Sequence, residues 1–168
     1  MRALIVGGGC RGLALARDLV AEGHAVRAVT RRGAARPAIE AAGAECWIGD
    51  PDVVGTLRYA LDNVTLRLWL LGTASGPPER VAALHGPRLR MMLDKTTDTT
   101  VRGVVYEAAG TVDPAVLAHG VEEVRRAHRL NEIPYALLVA DRADPVAWPA
   151  AARAAIDALL GRRRTASG

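Results

Sequence analysis

Six residues near the N-terminus, Gly7-Gly8-Gly9-Cys10-Arg11-Gly12, carry glycines at the spacing G-x-G-x-x-G, with Gly7, Gly9 and Gly12 in the three places. The spacing has chemical meaning only where a strand gives way to a helix, and it sits at such a place. Ala3–Val6 is a short apolar run, and from Cys10 onward apolar residues recur at helical intervals. In that setting Gly7 permits the tight turn. Gly9 has no side chain to hold a pyrophosphate off the backbone, and Gly12 lets helix and strand pack closely. The free N–H groups and positive dipole end of the helix then face the phosphates. The competing reading is a glycine turn with no ligand.

About twenty residues further on, a binder of NAD(H) usually has Asp or Glu to hold the ribose 2′-hydroxyl. Here that place reads Thr30-Arg31-Arg32. Two guanidinium groups suit a 2′-phosphate, so the expected cofactor is NADP(H) in preference to NAD(H); the competing reading is that Arg31 and Arg32 are a solvated turn. Arg11, inside the loop, could reach the same phosphate or the pyrophosphate. Asp50, after the third strand, has two readings: an acceptor for the adenine amino group, or a cap on a helix starting at Pro51. The remaining expected contacts to the dinucleotide are Leu71, Gly72 and Thr73. Substrate would enter above this segment and Ala108-Ala109-Gly110.

Other residue types offer less. Cys10 lies beside the loop, where a helix N-terminus could lower its pKa and make it redox-sensitive; the competing reading is a small residue in a tight turn. Glu107 ends a strand on the nicotinamide side and could act as an acid or base, but periodicity does not fix where it points. His24 falls in a turn, His85 in a loop, and His119 and His128 nine apart on one helix. No zinc-type spacing exists, so no metal is expected. Glu122, Glu123, Arg125 and Arg126 read as a solvated mixed-charge face. No catalytic residue can be named from these types alone.

The elements that must hold these residues alternate along the chain. Strands are expected at Ala3–Val6, Ala25–Thr30, Glu45–Ile48, Leu66–Leu71, Gly103–Ala108 and Tyr135–Ala140. Helices are expected at Cys10–Ala21, Arg36–Ala42, Val53–Leu61, Glu79–Leu84, Arg88–Lys95, Pro114–Leu130 and Ala147–Leu160. Gly120 is a mild weakness within the long helix. Alternation of this kind predicts an α/β fold, a doubly wound parallel sheet of about six strands in a single three-layer domain, with strand order 3-2-1-4-5-6. The domain is expected to span 1–161, followed by a basic flexible tail, 162–168, with Arg162, Arg163 and Arg164.

Composition sets outer bounds. The 168 residues carry a net charge of +4, and Lys95 is the only lysine. The arginines are scattered and aromatics make up 4% of the chain, which argues against a nucleic-acid surface. No apolar run reaches the roughly 18–20 residues of a membrane span. Two cysteines make no disulfide framework, and the first apolar run stops at glycines rather than continuing as a signal peptide, so a cytoplasmic protein is expected.

Leu4 to Gly12, then Gly23-His24-Ala25-Val26-Arg27, then Thr30-Arg31-Arg32 resemble the short-chain dehydrogenase/reductase superfamily, with its NAD(P)-binding Rossmann fold. The resemblance is to the atypical and extended branch of epimerase/dehydratases and nitrogen-regulator-like proteins. It continues through Gly49-Asp50, Thr56-Leu57, Ala60-Leu61, Gly103 to Tyr106 and Ile133-Pro134-Tyr135. It implies a dinucleotide cofactor and oxidoreductase or epimerase chemistry on a small substrate. The departures bear on catalysis. That branch uses Tyr-x-x-x-Lys, but Tyr59, Tyr106 and Tyr135 are followed four residues later by Asn63, Gly110 and Val139. The only serines are Ser75 and Ser167, and the branch's C-terminal substrate-binding extension is expected to be missing. Two readings follow: an atypical NADP(H)-dependent oxidoreductase, or a non-catalytic module that senses NADP(H) for a protein partner. A third is a degenerate fold kept for assembly, and a homodimer is compatible with the terminal helix.

Overall fold

The computed structural model describes residues 1–165, and side chains through 161. Six strands form one sheet: β1 (Arg2–Gly7), β2 (Ala25–Thr30), β3 (Glu45–Ile48), β4 (Leu66–Leu70), β5 (Gly103–Glu107) and β6 (Tyr135–Leu138). Their order is β3-β2-β1-β4-β5-β6, and every pairing is parallel. This is the doubly wound Rossmann arrangement that the alternating pattern predicts. Its order reverses between β1 and β4, so a crevice opens at their C-terminal ends.

Six α-helices cover the two faces: α1 (Gly9–Ala21), α2 (Arg36–Ala41), α3 (Pro78–His85), α4 (Pro87–Thr96), α5 (Pro114–Asn131) and α6 (Ala147–Thr165). Alternate strand residues feed two separate cores. Ala3, Ile5, Leu68 and Leu70 pack under α1, α2 and α6 with Leu19, Ile39, Trp148 and Ile156. Leu4, Val6, Trp69 and Val104 pack on the opposite side with Leu57, Leu89, Met92 and Val124. Because both faces are covered, the central strands are continuous apolar runs rather than alternating ones. Truncating one of these buried leucines to alanine would cost about 2–5 kcal/mol.

Four expectations are corrected. Residues 53–61 form two short 3₁₀ turns, Val54–Leu57 and Tyr59–Leu61, instead of one helix. The Trp47 indole donates to the Thr56 carbonyl (2.9 Å), and the Thr56 hydroxyl bonds the Val53 carbonyl (2.7 Å) and accepts from the Asp50 N–H (2.8 Å). A continuous helix would need those carbonyls itself. Glu123 is not solvated: it is 3% exposed and accepts two hydrogen bonds from Arg90 (2.8 and 2.5 Å), tying α5 to α4. Those bonds hold its carboxyl below the usual carboxylate range. Gly120 is no mere weakness in α5, since a Cβ there would collide with the Tyr106 hydroxyl. Finally, α6 runs on past Leu160 through Arg162, Arg163 and Arg164 to Thr165. The side chains of the expected tail, 162–168, lie outside the described residues.

Candidate functional site

The glycine loop is built by steric necessity. Gly7, Gly8 and Gly9 all have positive φ (82°, 91° and 51°), a region that L side chains rarely adopt. A Cβ on Gly7 would strike the Leu70 carbonyl, one on Gly8 would stand 2.7 Å from Gly12 Cα, and one on Gly12 would stand 2.9 Å from the Gly7 carbonyl oxygen. A Cβ on Gly9 would meet nothing within 4 Å, so that position faces open space. Gly8, a free position in the motif, is thus as constrained as the motif glycines. Its N–H is also spent, donating to the Leu70 carbonyl (2.8 Å). The next three N–H groups, of Gly9, Cys10 and Arg11, open α1 and have no acceptor among the described residues.

Two of the three cavities that touch this loop meet at the switch point. The first, about 360 Å³, runs past Gly7, Gly8 and Gly9 to the ends of β2, β3 and β4, where Thr30, Arg31, Asp50, Leu71 and Thr73 line it. The second, about 670 Å³, lies on the other side, lined by Gly9, Cys10, Arg11, Thr73, Gly110 and Asp141 among others. Gly8, Gly9, Thr73 and Arg142 border both. Residues far apart in sequence therefore converge on one crevice at the switch point.

The expected site residues divide. Arg31 lines the first cavity and makes no ion pair among the described residues, whereas Arg32 lines neither cavity. Thr30 is folded into its own turn, its hydroxyl bonding the Arg32 backbone (3.2 Å). Arg11 does not reach toward the end of β2. Its guanidinium donates to the carbonyls of Arg142 (3.1 Å) and Ala143 (3.4 Å), bracing α1 against the loop after β6. Gly72 turns away from the crevice: its N–H donates to Glu107 (2.7 Å), and a Cβ would collide with the Ala109 carbonyl. Gly12 packs against the loop backbone. Cys10 is exposed and unpaired.

Asp50 caps no α-helix, because none starts at Pro51. One of its oxygens accepts the Asp52 N–H (2.9 Å) in a local turn, and the other accepts from Arg80 of α3 (3.2 Å). Arg80 also pairs with Asp52 (3.1 Å), as does Arg88 (3.2 Å). These pairs link the loop after β3 to the helices after β4, on opposite banks of the crevice. They are partly exposed, and each contributes little to stability.

Glu107 is the largest correction. It is fully buried. Its carboxylate accepts from the Gly72 N–H, from the Trp148 indole (2.9 Å), and from Arg142 Nε (3.0 Å) and Nη2. It is the counterion of the partly buried Arg142, and all of its hydrogen bonds run to groups inside the fold. Arg142, which sequence reasoning passed over, is the central polar residue of the site. It also donates to the Leu70 carbonyl (3.0 Å) and the Thr73 hydroxyl. Its signal was positional: it follows the last strand of a doubly wound sheet, where ligand-facing residues gather.

His85 is not in a loop. It ends α3 and is fully buried. Its Nε2 bonds the Leu71 carbonyl (3.1 Å), which can only accept, so Nε2 carries the proton. Nδ1 then accepts from the Tyr106 hydroxyl at the shorter distance (2.7 Å), and the Leu117 carbonyl, the other acceptor beside that single proton, stands farther off (3.3 Å). Burial pushes His85 below the ordinary histidine range and, with help from the Glu107 charge, pushes the Tyr106 phenol up. No group of three His, Cys, Asp or Glu able to hold a metal ion occurs among the described residues, and no described helix is long and apolar enough to cross a membrane.

No protein-family model matches the chain, and no curated protein does. Solved structures do match in fold. A Bacillus cereus UDP-glucuronic acid 4-epimerase in complex with NAD superimposes with a TM-score of 0.67 at 12% identity, over 82% of this chain and 54% of that one. A Citrobacter sp. triphenylmethane reductase complexed with NADP(H) gives 0.60 at 19%, over 82% and 48%. Vestitone reductase from alfalfa gives 0.61 at 16%, over 82% and 56%. The chain thus spans about half the length of the structures it resembles, and the likeness is one of fold.

Proposed function

We propose that the chain binds a nicotinamide dinucleotide across the two cavities and takes NADP(H) in preference to NAD(H). One observation carries this reading: the N–H groups of Gly9, Cys10 and Arg11, which have no acceptor among the described residues, stand where the cavities meet, and Arg31, which has no ion pair among the described residues, lines the mouth of one. Backbone donors at a helix N-terminus suit a diphosphate. Gly9 leaves open space where a Cβ would otherwise intrude, so the loop fits the group sterically as well. Arg31 would receive the 2′-phosphate, and Asp50 the adenine amino group. Two structures of the same fold are described with NAD and with NADP(H), which is consistent with this assignment.

When bound, the nicotinamide supplies hydride transfer, and the chain supplies orientation. Proton-transfer machinery is harder to find in its residues. Glu107 and Tyr106 are both buried and committed to internal hydrogen bonds. That commitment favours the second reading, a module that senses NADP(H), over an atypical oxidoreductase. Titration calorimetry with NADPH and NADH tests the binding step. Tight NADPH with weak NADH is expected, and failure of both to bind would end the proposal. Turnover separates the two readings: acceleration of NADPH oxidation by a small carbonyl, quinone or flavin would establish the enzyme.

A further inference from the structure

We infer that Arg142 and Thr73 form the second jaw of a diphosphate clamp, facing the N-terminus of α1. The inference rests on the dinucleotide reading above and adds the residues that hold its centre. Arg142 has five N–H donors. Nε and one Nη2 hydrogen go to Glu107, the other Nη2 hydrogen goes to the Leu70 carbonyl, and one Nη1 hydrogen goes to Thr73 Oγ1. One Nη1 hydrogen has no acceptor among the described residues. Thr73 accepts from Arg142, so its own hydroxyl proton is free to donate. Both residues border both cavities, together with Gly8 and Gly9.

The arrangement is preorganised from behind. Glu107 is locked by the Gly72 N–H and the Trp148 indole, so the guanidinium cannot swing away. The Leu70 carbonyl accepts on its two lone pairs from the Gly8 N–H and from Arg142 Nη2, which fixes the arginine relative to the glycine loop. Only 15% of the Arg142 side chain is exposed, and that remainder borders the crevice. A buried carboxylate neutralises the arginine within the fold, yet one charged donor edge remains for an anion. Charge-assisted donors of this kind are the strong ones for phosphate. The ligand class is a diphosphate ester, and the contact is indifferent to what lies beyond the diphosphate on either side.

The experiment compares two probes on three proteins: NADPH, which contains the diphosphate, and adenosine 2′-monophosphate, which does not. Arg142→Lys keeps a cation beside Glu107 but loses the fork that reaches Thr73, and Thr73→Val removes the hydroxyl without touching the buried pair. Expected is a loss of NADPH affinity of about tenfold or more for Arg142→Lys, the size of one charge-assisted hydrogen bond, and a smaller loss for Thr73→Val. Adenosine 2′-monophosphate should change less than about twofold in either variant. If wild type binds NADPH and both variants keep its affinity, or if both probes weaken equally, the clamp is wrong while the dinucleotide reading stands. If wild type binds neither probe, the dinucleotide reading itself falls, and the clamp with it.

Discussion

At the residue scale, the proposed preference for NADP(H) rests on one side chain rather than two. Arg31 faces the cavity and Arg32 does not, so Arg31→Ala should weaken NADPH binding by about tenfold or more, as expected for one charge-assisted contact, and leave NADH nearly unchanged. Arg32→Ala should do much less. Calorimetry on the two variants checks this, and equal loss of both cofactors would sink the account of the preference. The loop glycines were readable because a tight turn and a close helix leave no other choice. Arg11 was misread because nothing local says that its partners are carbonyls more than a hundred residues away. Glu107 was misread for a related reason: a strand-end carboxylate looks the same in sequence whether it faces solvent or a buried arginine.

At the scale of elements, the sheet order was legible because strand and helix periods alternate cleanly and crossovers are right-handed. The failure lay at residues 53–61, where Trp47 of β3 captures a carbonyl that a helix would need. Two substitutions test element packing. Gly120→Ala should raise helix propensity by about 1 kcal/mol, yet it should lower the melting temperature, because the new methyl meets the Tyr106 hydroxyl. Arg67 on β4 is fully buried, with Nε and Nη2 unpartnered, and desolvation pushes its guanidinium down to about 9. Arg67→Met should therefore stabilise the fold by about 1–3 kcal/mol in denaturant unfolding, since the charge is desolvated with no counterion among the described residues. A loss of stability would show that its bonds to the Met92 carbonyl and Thr96 matter more.

For the whole molecule, the pH dependence has a definite sign. His85 sits below the ordinary histidine value in the fold, so the unfolded chain binds more protons at mildly acidic pH. Its contribution is complete above about pH 6.5 and is lost as pH falls through its folded pKa. Urea unfolding midpoints should therefore drop on acidification from pH 7 to 5, and His85→Gln should flatten that part of the profile. An unchanged slope in the variant would assign the acid sensitivity between pH 7 and 5 to another group; Glu123, whose carboxyl is held low by Arg90, would lose its contribution only at more acidic pH. Sequence could not show this, because His85 becomes buried only when α3, β4 and β5 come together.

The glycine loop also contains its own clock. Four successive backbone amides differ in one respect: the Gly8 proton is held by the Leu70 oxygen, while those of Gly9, Cys10 and Arg11 have no acceptor among the described residues. In deuterated buffer the first should exchange slowly and the next three fast, all within one turn of chain. A bound diphosphate would slow the three and leave the first alone, so amide exchange can report occupancy of the loop without any assumption about chemistry downstream.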